Sequence, residues 1–191
     1  MRPRYLGDSF DIVKQSLLRW LQVFGTWEAH PMFTERVTPE KSNAFSRLLG
    51  IPLLSTDTLE AETNREAYFA LARSCQHHLF LDPDTGLRFS ANRTNKPPSY
   101  LFGSEAVSIV SGRPNRLTLV FDQALARGRE REQLAEKMAF LGDHTIASLA
   151  YFSHASFILM SKNQELIKKA SEAVQDASRL PSSRFLVGID R

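Results

Sequence analysis

The chain has one cysteine, Cys75, in 191 residues. A single thiol excludes an intramolecular disulfide and points to a reducing, cytoplasmic setting. No apolar run approaches the roughly 18 residues that span a bilayer. The charged stretch Met1–Arg2–Pro3–Arg4–Tyr5 leads into no uncharged signal core, so neither a membrane segment nor an export signal is expected. No Gly-x-Gly-x-x-Gly follows a strand, which leaves a dinucleotide site without support. No Gly-x-x-x-x-Gly-Lys-Ser/Thr is present, which excludes a P-loop, and no Cys/His spacing fits structural zinc. There is no internal repeat and no low-complexity tract.

What is present fits a single globular domain over 1–191. The net charge is +3, from 24 Lys+Arg against 21 Asp+Glu. Its distribution is uneven. Between Thr85 and Phe121 stand five basic residues (Arg88, Arg93, Lys96, Arg113, Arg116) and one acid, Glu105. Arg127, Arg129 and Arg131 form a second cluster. Basic surroundings of an acidic site suit a nucleic acid or a nucleotide, although solvated loops carry such charges equally well.

Hydrophobic spacing predicts a helix over 9–24, with Asp8 as N-cap, Asp11 at N3 and Gly25 as its stop. A short edge strand follows over 27–33, with Pro31 at its irregular end. Thr38–Pro39 opens a second helix that Gly50 closes. Thr63–Asn64–Arg65–Glu66 reads as a capping box for a third helix, running to about Ser74. An apolar strand then ends at Asp82, and a polar loop of about 17 residues spans 83–99, longer than a routine connection. A helix over 104–110 leads to a strand over 117–121. Another helix over 129–141 is stopped by Gly142. Two strands, 146–152 and 157–160, flank Ser153–His154–Ala155–Ser156. A final helix, 164–177, starts at the N-cap Asn163, and a last strand covers 184–189. Alternating strands and helices predict a Rossmann-like three-layer α/β domain, with a mainly parallel sheet and an antiparallel edge element.

Two apolar strands end in acids: His78–Leu79–Phe80–Leu81 runs into Asp82–Pro83–Asp84–Thr85–Gly86, and Leu117–Phe121 runs into Asp122–Gln123. Pro83 stops the ladder because it has no N–H. Strand tips are where open α/β sheets bind ligands. Asp82, Asp84 and Asp122 are candidates to hold Mg²⁺ or Mn²⁺ for phosphoester hydrolysis, as in a nuclease. In that reading His154 moves a proton or contacts phosphate. Lys14, Arg88, Arg93 and Arg127 then bind the polyanion. Turn capping by the same aspartates is the structural alternative. Asp8 and Asp11, at a helix start, are candidate cofactor-binding residues. Cys75 reads as a core residue. His77 and His78 fall at the far end of their strand. A third possibility is a nucleic-acid-binding module or complex subunit without catalysis.

Two patches carry a resemblance. Tyr5–Leu6–Gly7–Asp8–Ser9–Phe10–Asp11–Ile12–Val13–Lys14 resembles the helix-start motif of the bacterial ribosomal-RNA adenine-N6 methyltransferases, and Phe80–Leu81–Asp82–Pro83–Asp84 is similar to their strand-end Asp-Pro-Pro-Tyr motif. The resemblance implies S-adenosylmethionine as cofactor. It places Asp82 at the target amino group and Asp8 and Lys14 near the cofactor's methionine. Glu28–Ala29–His30–Pro31–Met32 stands where that family carries a glycine-rich turn. Asp82–Gly86, Phe121–Asp122–Gln123 and Ser153–His154–Ala155 also resemble motifs of an uncharacterised group of bacterial proteins, which implies no activity.

Overall fold

The computed structural model describes residues 6–89 and 97–188. It is an α/β structure around a six-stranded mixed sheet. In chain order the strands are β1 (Trp27–His30), β2 (His78–Leu81), β5 (Thr118–Phe121), β6 (Ala147–Phe152), β7 (Ser156–Ser161) and β8 (Phe185–Gly188). Their spatial order is β1-β2-β5-β7-β6-β8. β1, β2 and β5 are mutually parallel, and β7 and β8 run against the other four. Two further strands, β3 (Gly86–Arg88) and β4 (Tyr100–Phe102), pair in parallel as a separate small sheet.

The helices follow their end signals. α1 (Ser9–Leu21) starts where the Asp8 carboxylate accepts from the amides of Phe10 and Asp11. A 3-10 turn, Gln22–Phe24, then closes on Gly25. α2 (Pro39–Leu49) has Thr38 as its cap, Pro39 in its first turn and Gly50 at φ 71° after its last. α7 (Gln164–Ser178) is capped by Asn163. Between β4 and β5 lies α5 (Gly103–Ser111).

Several expectations are corrected. The third helix is two short ones, α3 (Arg65–Tyr68) and α4 (Ala70–Ser74). Its cap is Asn64 rather than Thr63, whose hydroxyl instead accepts from the Glu60 amide. Gly142 does not stop α6 (Glu130–Asp143). The turn comes three residues after Gly142, where Thr145 takes φ 55°. The long loop after Asp82 contains β3, whose partner strand supplies backbone contacts that local sequence does not reveal. The sheet does end in an antiparallel edge strand, β8, but the pair β6–β7 stands inside it, with β7 beside β5.

Side chains alternate along each strand and so divide the core in two. Phe80, Leu119, Phe121, Leu149, Phe157 and Leu159 pack with α1, α2 and α7. Leu79, Leu81, Val120, Ala150, Ile158 and Met160 pack with α4, α5 and α6. Among the described residues no helix is long and apolar enough to cross a membrane.

At the C-terminal end of β1 the His30 imidazole is buried, edge-on to Tyr68 at 4.9 Å and beside Phe69. Burial lowers its pKa to about 4. Below pH 6.5 the unfolded chain takes up a proton that the folded ring refuses, so this contribution to stability is present above pH 6.5 and lost as the pH falls toward 4. The window corresponds to about 3 kcal/mol. Urea unfolding of wild type and His30→Phe at pH 7 and pH 4.5 checks this. The variant should lose distinctly less stability on acidification, and equal losses would rule the assignment out.

Candidate functional site at the strand tips

A cleft of about 440 Å³ opens at the C-terminal ends of β2 and β5. Its walls are Asp8, Phe10, Asp11 and Lys14 from the start of α1, Asp82–Pro83–Asp84–Thr85 after β2, and Phe121 and Gln123 from β5 and its exit. The two motif patches, 68 residues apart between Lys14 and Asp82, therefore meet in one place.

Lys14 makes the join. Its ammonium donates to Asp82 Oδ2 at 2.9 Å and to Asp11 Oδ1 at 3.0 Å, and it sits 4.4 Å above the centre of the Phe121 ring. Asp11 Oδ2 in turn accepts from the Gly7 amide at 2.8 Å. All three charged side chains are buried. Burial alone would lower the Lys14 pKa, but the carboxylates of Asp82 and Asp11 outweigh it and hold the ammonium above its ordinary value. Burial pushes the Asp82 carboxyl up, against the pull of Lys14. Lys14, contacted on two sides, keeps its charge; Asp82 is the member whose charge costs more.

Asp122 does not join this cleft. In the β2–β5 register Leu81 lies opposite Val120, so Asp82 aligns with Phe121 and Asp122 is one residue beyond. Its side chain leaves by the other face. There it accepts from Lys137 Nζ of α6 at 2.6 Å and from the amides of Leu87 and Ala124 at 3.0 and 3.1 Å. Lys137 also donates to the Leu87 carbonyl at 2.8 Å. This second lysine–aspartate pair shapes the loop that follows Asp82. Gly86, at φ 137°, packs so closely that a Cβ would stand 2.2 Å from Asp122 Oδ1. The Gln123 amide donates to the Thr85 carbonyl at 2.9 Å, tying the two strand exits together.

The remaining candidates scatter. Asp84 lines the cleft and accepts from the Ser99 hydroxyl at 3.4 Å. His154 is exposed on the β6–β7 turn, its ring stacked on Phe10 with centroids 5.6 Å apart, so it stands at the cleft's rim. Arg88 lies over the Tyr100 ring at 5.0 Å, in a neighbouring groove of about 400 Å³ that shares Thr85 and Gln123 with the cleft. Arg127 is exposed between β5 and α6. Arg93 and Lys96 lie outside the described residues. Lys14 is buried and fully engaged with carboxylates, which corrects its expected role as an open contact for a polyanion. Among the described residues no three His, Cys, Asp or Glu side chains are grouped to hold one metal ion.

At the opposite end of the sheet, His78 takes the Leu117 amide on Nδ1 at 2.8 Å and faces the Phe24 carbonyl with Nε2 at 2.9 Å. This is a structural use. Cys75 is buried, its Sγ 3.0 Å from the Glu28 carboxylate, and burial raises its pKa to about 11. The thiol is a core group, as its lone position in the sequence implies.

Sequence reasoning missed Phe121, Phe10 and Lys137 as parts of these sites. Lys137 is the one with a signal: it stands among Leu134, Met138 and Leu141 on the inward face of α6, where a lysine needs a buried partner. No protein-family model matches the chain, and no curated protein matches it significantly.

Two stability tests follow from the two pairs. Lys14→Met removes the ammonium that two buried carboxylates share and should cost about 3–5 kcal/mol in urea unfolding. Adding Asp82→Asn should restore part of that loss, with a coupling of at least about 1 kcal/mol; strictly additive losses would show that the pair does not act as one unit. Gly86→Ala should cost at least about 2 kcal/mol through left-handed strain and displacement of Asp122. A near-neutral Gly86→Ala would mean that the loop has other room to move.

Proposed function

We propose that the chain is a Rossmann-like three-layer relative of the nucleic-acid methyltransferases that binds an amino-bearing nucleobase or nucleotide in the Asp82 cleft. The observation that carries this reading is the 2.9 Å bond from Lys14 to Asp82, which unites the helix-start and strand-tip patches around one pocket. The cleft lining holds four aspartates against one lysine. Such a field attracts cations and amino groups and repels phosphate. Phe10 and Phe121 supply apolar walls suited to a planar ring. A nucleic-acid ligand would then keep its phosphates outside, toward the Arg88 groove.

S-adenosylmethionine fits poorly. A cofactor cradle needs open backbone after β1, whereas Pro31, Met32 and Phe33 are buried there. Met32 holds φ 47°, the left-handed conformation that a glycine would take more easily, and its side chain is buried in the core. The reading is accordingly that of a degenerate relative, which binds without that cofactor. Mg²⁺- or Mn²⁺-dependent hydrolysis by Asp82, Asp84 and Asp122 fits poorly too. Asp82 and Asp122 leave opposite sides of the sheet, and each already neutralises a lysine.

Thermal unfolding against a ligand panel tests the reading, because a ligand that binds only the folded state raises Tm by mass action. Adenosine or cytidine at saturating concentration should raise Tm by several degrees, uridine much less, and Asp82→Asn should abolish the increment. S-adenosylhomocysteine and Mn²⁺ should leave Tm unchanged. A shift with S-adenosylhomocysteine would return the chain to the cofactor-dependent methyltransferases. A Mn²⁺ shift lost in Asp82→Asn would favour the hydrolase. No shift with any nucleoside would sink the proposal.

A further inference from the structure

Beside the cleft lies a groove of opposite electrostatic character. It measures about 400 Å³ against about 440 Å³ for the cleft, and Thr85 and Gln123 line both. The backbone between them is fixed: the Thr85 amide donates to the Ser99 carbonyl at 2.8 Å, and the Thr85 carbonyl accepts from the Gln123 amide at 2.9 Å. Four aspartates line the cleft, whereas none of the described residues that line the groove is acidic. Two of them are cations. Lys137 spends its three donors on Asp122 and on the Leu87 and Ala124 carbonyls. Arg88, half-buried at the end of β3, holds its guanidinium over the Tyr100 ring, 5.0 Å from the ring centre.

Two adjoining fields of opposite sign orient a ligand that carries both an amino-bearing ring and a phosphate. The aspartates repel the phosphate, and the guanidinium attracts it with a planar fork of N–H donors that matches phosphate oxygens. The groove is nearly as large as the cleft, more than a phosphate alone fills, and Leu87, Phe89 and Leu125 give it apolar wall. Resting on the reading that the cleft binds a nucleobase, we infer that the Arg88 groove is a second nucleotide subsite and that the ligand is a single-stranded nucleic acid. The amino-bearing base occupies the cleft. The phosphodiester crosses at Thr85 to meet Arg88, and the neighbouring nucleotide lies in the groove. The strand is single because the amino group that the cleft reads is already spent on the partner base in a duplex.

Calorimetric titration of the full chain with adenosine, adenosine monophosphate and the dinucleotides ApU, UpA and UpU tests this. Whichever of ApU and UpA has the fitting polarity should bind about tenfold more tightly than adenosine, the worth of one charge-assisted contact. That advantage should shrink as salt rises. Arg88→Gln should bring the ratio close to one. A neutral methylphosphonate link in the dinucleotide should do the same to the wild type, which removes any question of how the variant folds. If adenosine binds and neither dinucleotide gains over it, or the gain survives both changes, the inference fails while the base reading stands. Adenosine monophosphate binding as tightly as the better dinucleotide would overturn the strand. UpU binding as tightly as ApU and UpA, with the same dependence on Arg88, would uphold the groove and sink the base reading. If none of these ligands binds the wild type, both fail.

Discussion

The site depends on a lysine placed where lysine is least at ease. Lys14 projects from the first helix into the protein interior, and only two carboxylates make that position tenable. One is local, three residues back on the same helix; the other arrives at the tip of β2. The helix cannot dock elsewhere without leaving a buried charge unmatched. The contact therefore sets the position of α1 over the sheet, and with it the cleft between the helix start and the loop after Asp82. The Phe121 ring beneath the ammonium adds an apolar floor that keeps water from replacing either partner.

The other face repeats the device with different parts. Lys137 of α6 meets Asp122, and the pair also gathers the Leu87 and Ala124 backbone. Two consecutive parallel strands thus each end in an aspartate that is neutralised by a helix lysine, one above the sheet and one below. The one-residue offset between Asp82 and Asp122 decides everything about their relation: a two-residue offset would have put both carboxylates in one pocket. The offset follows from the register that sets Leu81 against Val120.

Much of the local structure was legible in the sequence because its causes are local. Asp8, Thr38 and Asn163 announce helix starts through short-range hydrogen bonds to amides two or three residues on. The apolar run into Asp82–Pro83 announces a strand and its end. The strand-tip location of Asp82, Asp84 and Gln123 came with it. The partners were not legible. Nothing near Asp82 indicates Lys14, and nothing near Asp122 indicates Lys137, since both pairs are made by docking of elements distant in sequence. Asn64 and Thr63 are both good caps, and tertiary docking of α3 chose between them. Gly142 is tolerated inside α6 because the helix end is fixed by Thr145 and the entry to β6, so the usual stop signal was overridden.

The burial of both lysine–aspartate pairs has a consequence for how the cleft behaves in different media. Dissolved ions screen charges that water reaches and have little purchase on pairs enclosed by protein. The floor of the cleft is therefore held at fixed geometry from dilute buffer to brine. The rim, with Asp84 half-buried and His154 and Arg127 exposed, shares its field with the solution. Ionic strength acts on the approach of a ligand and leaves the shape of its seat alone.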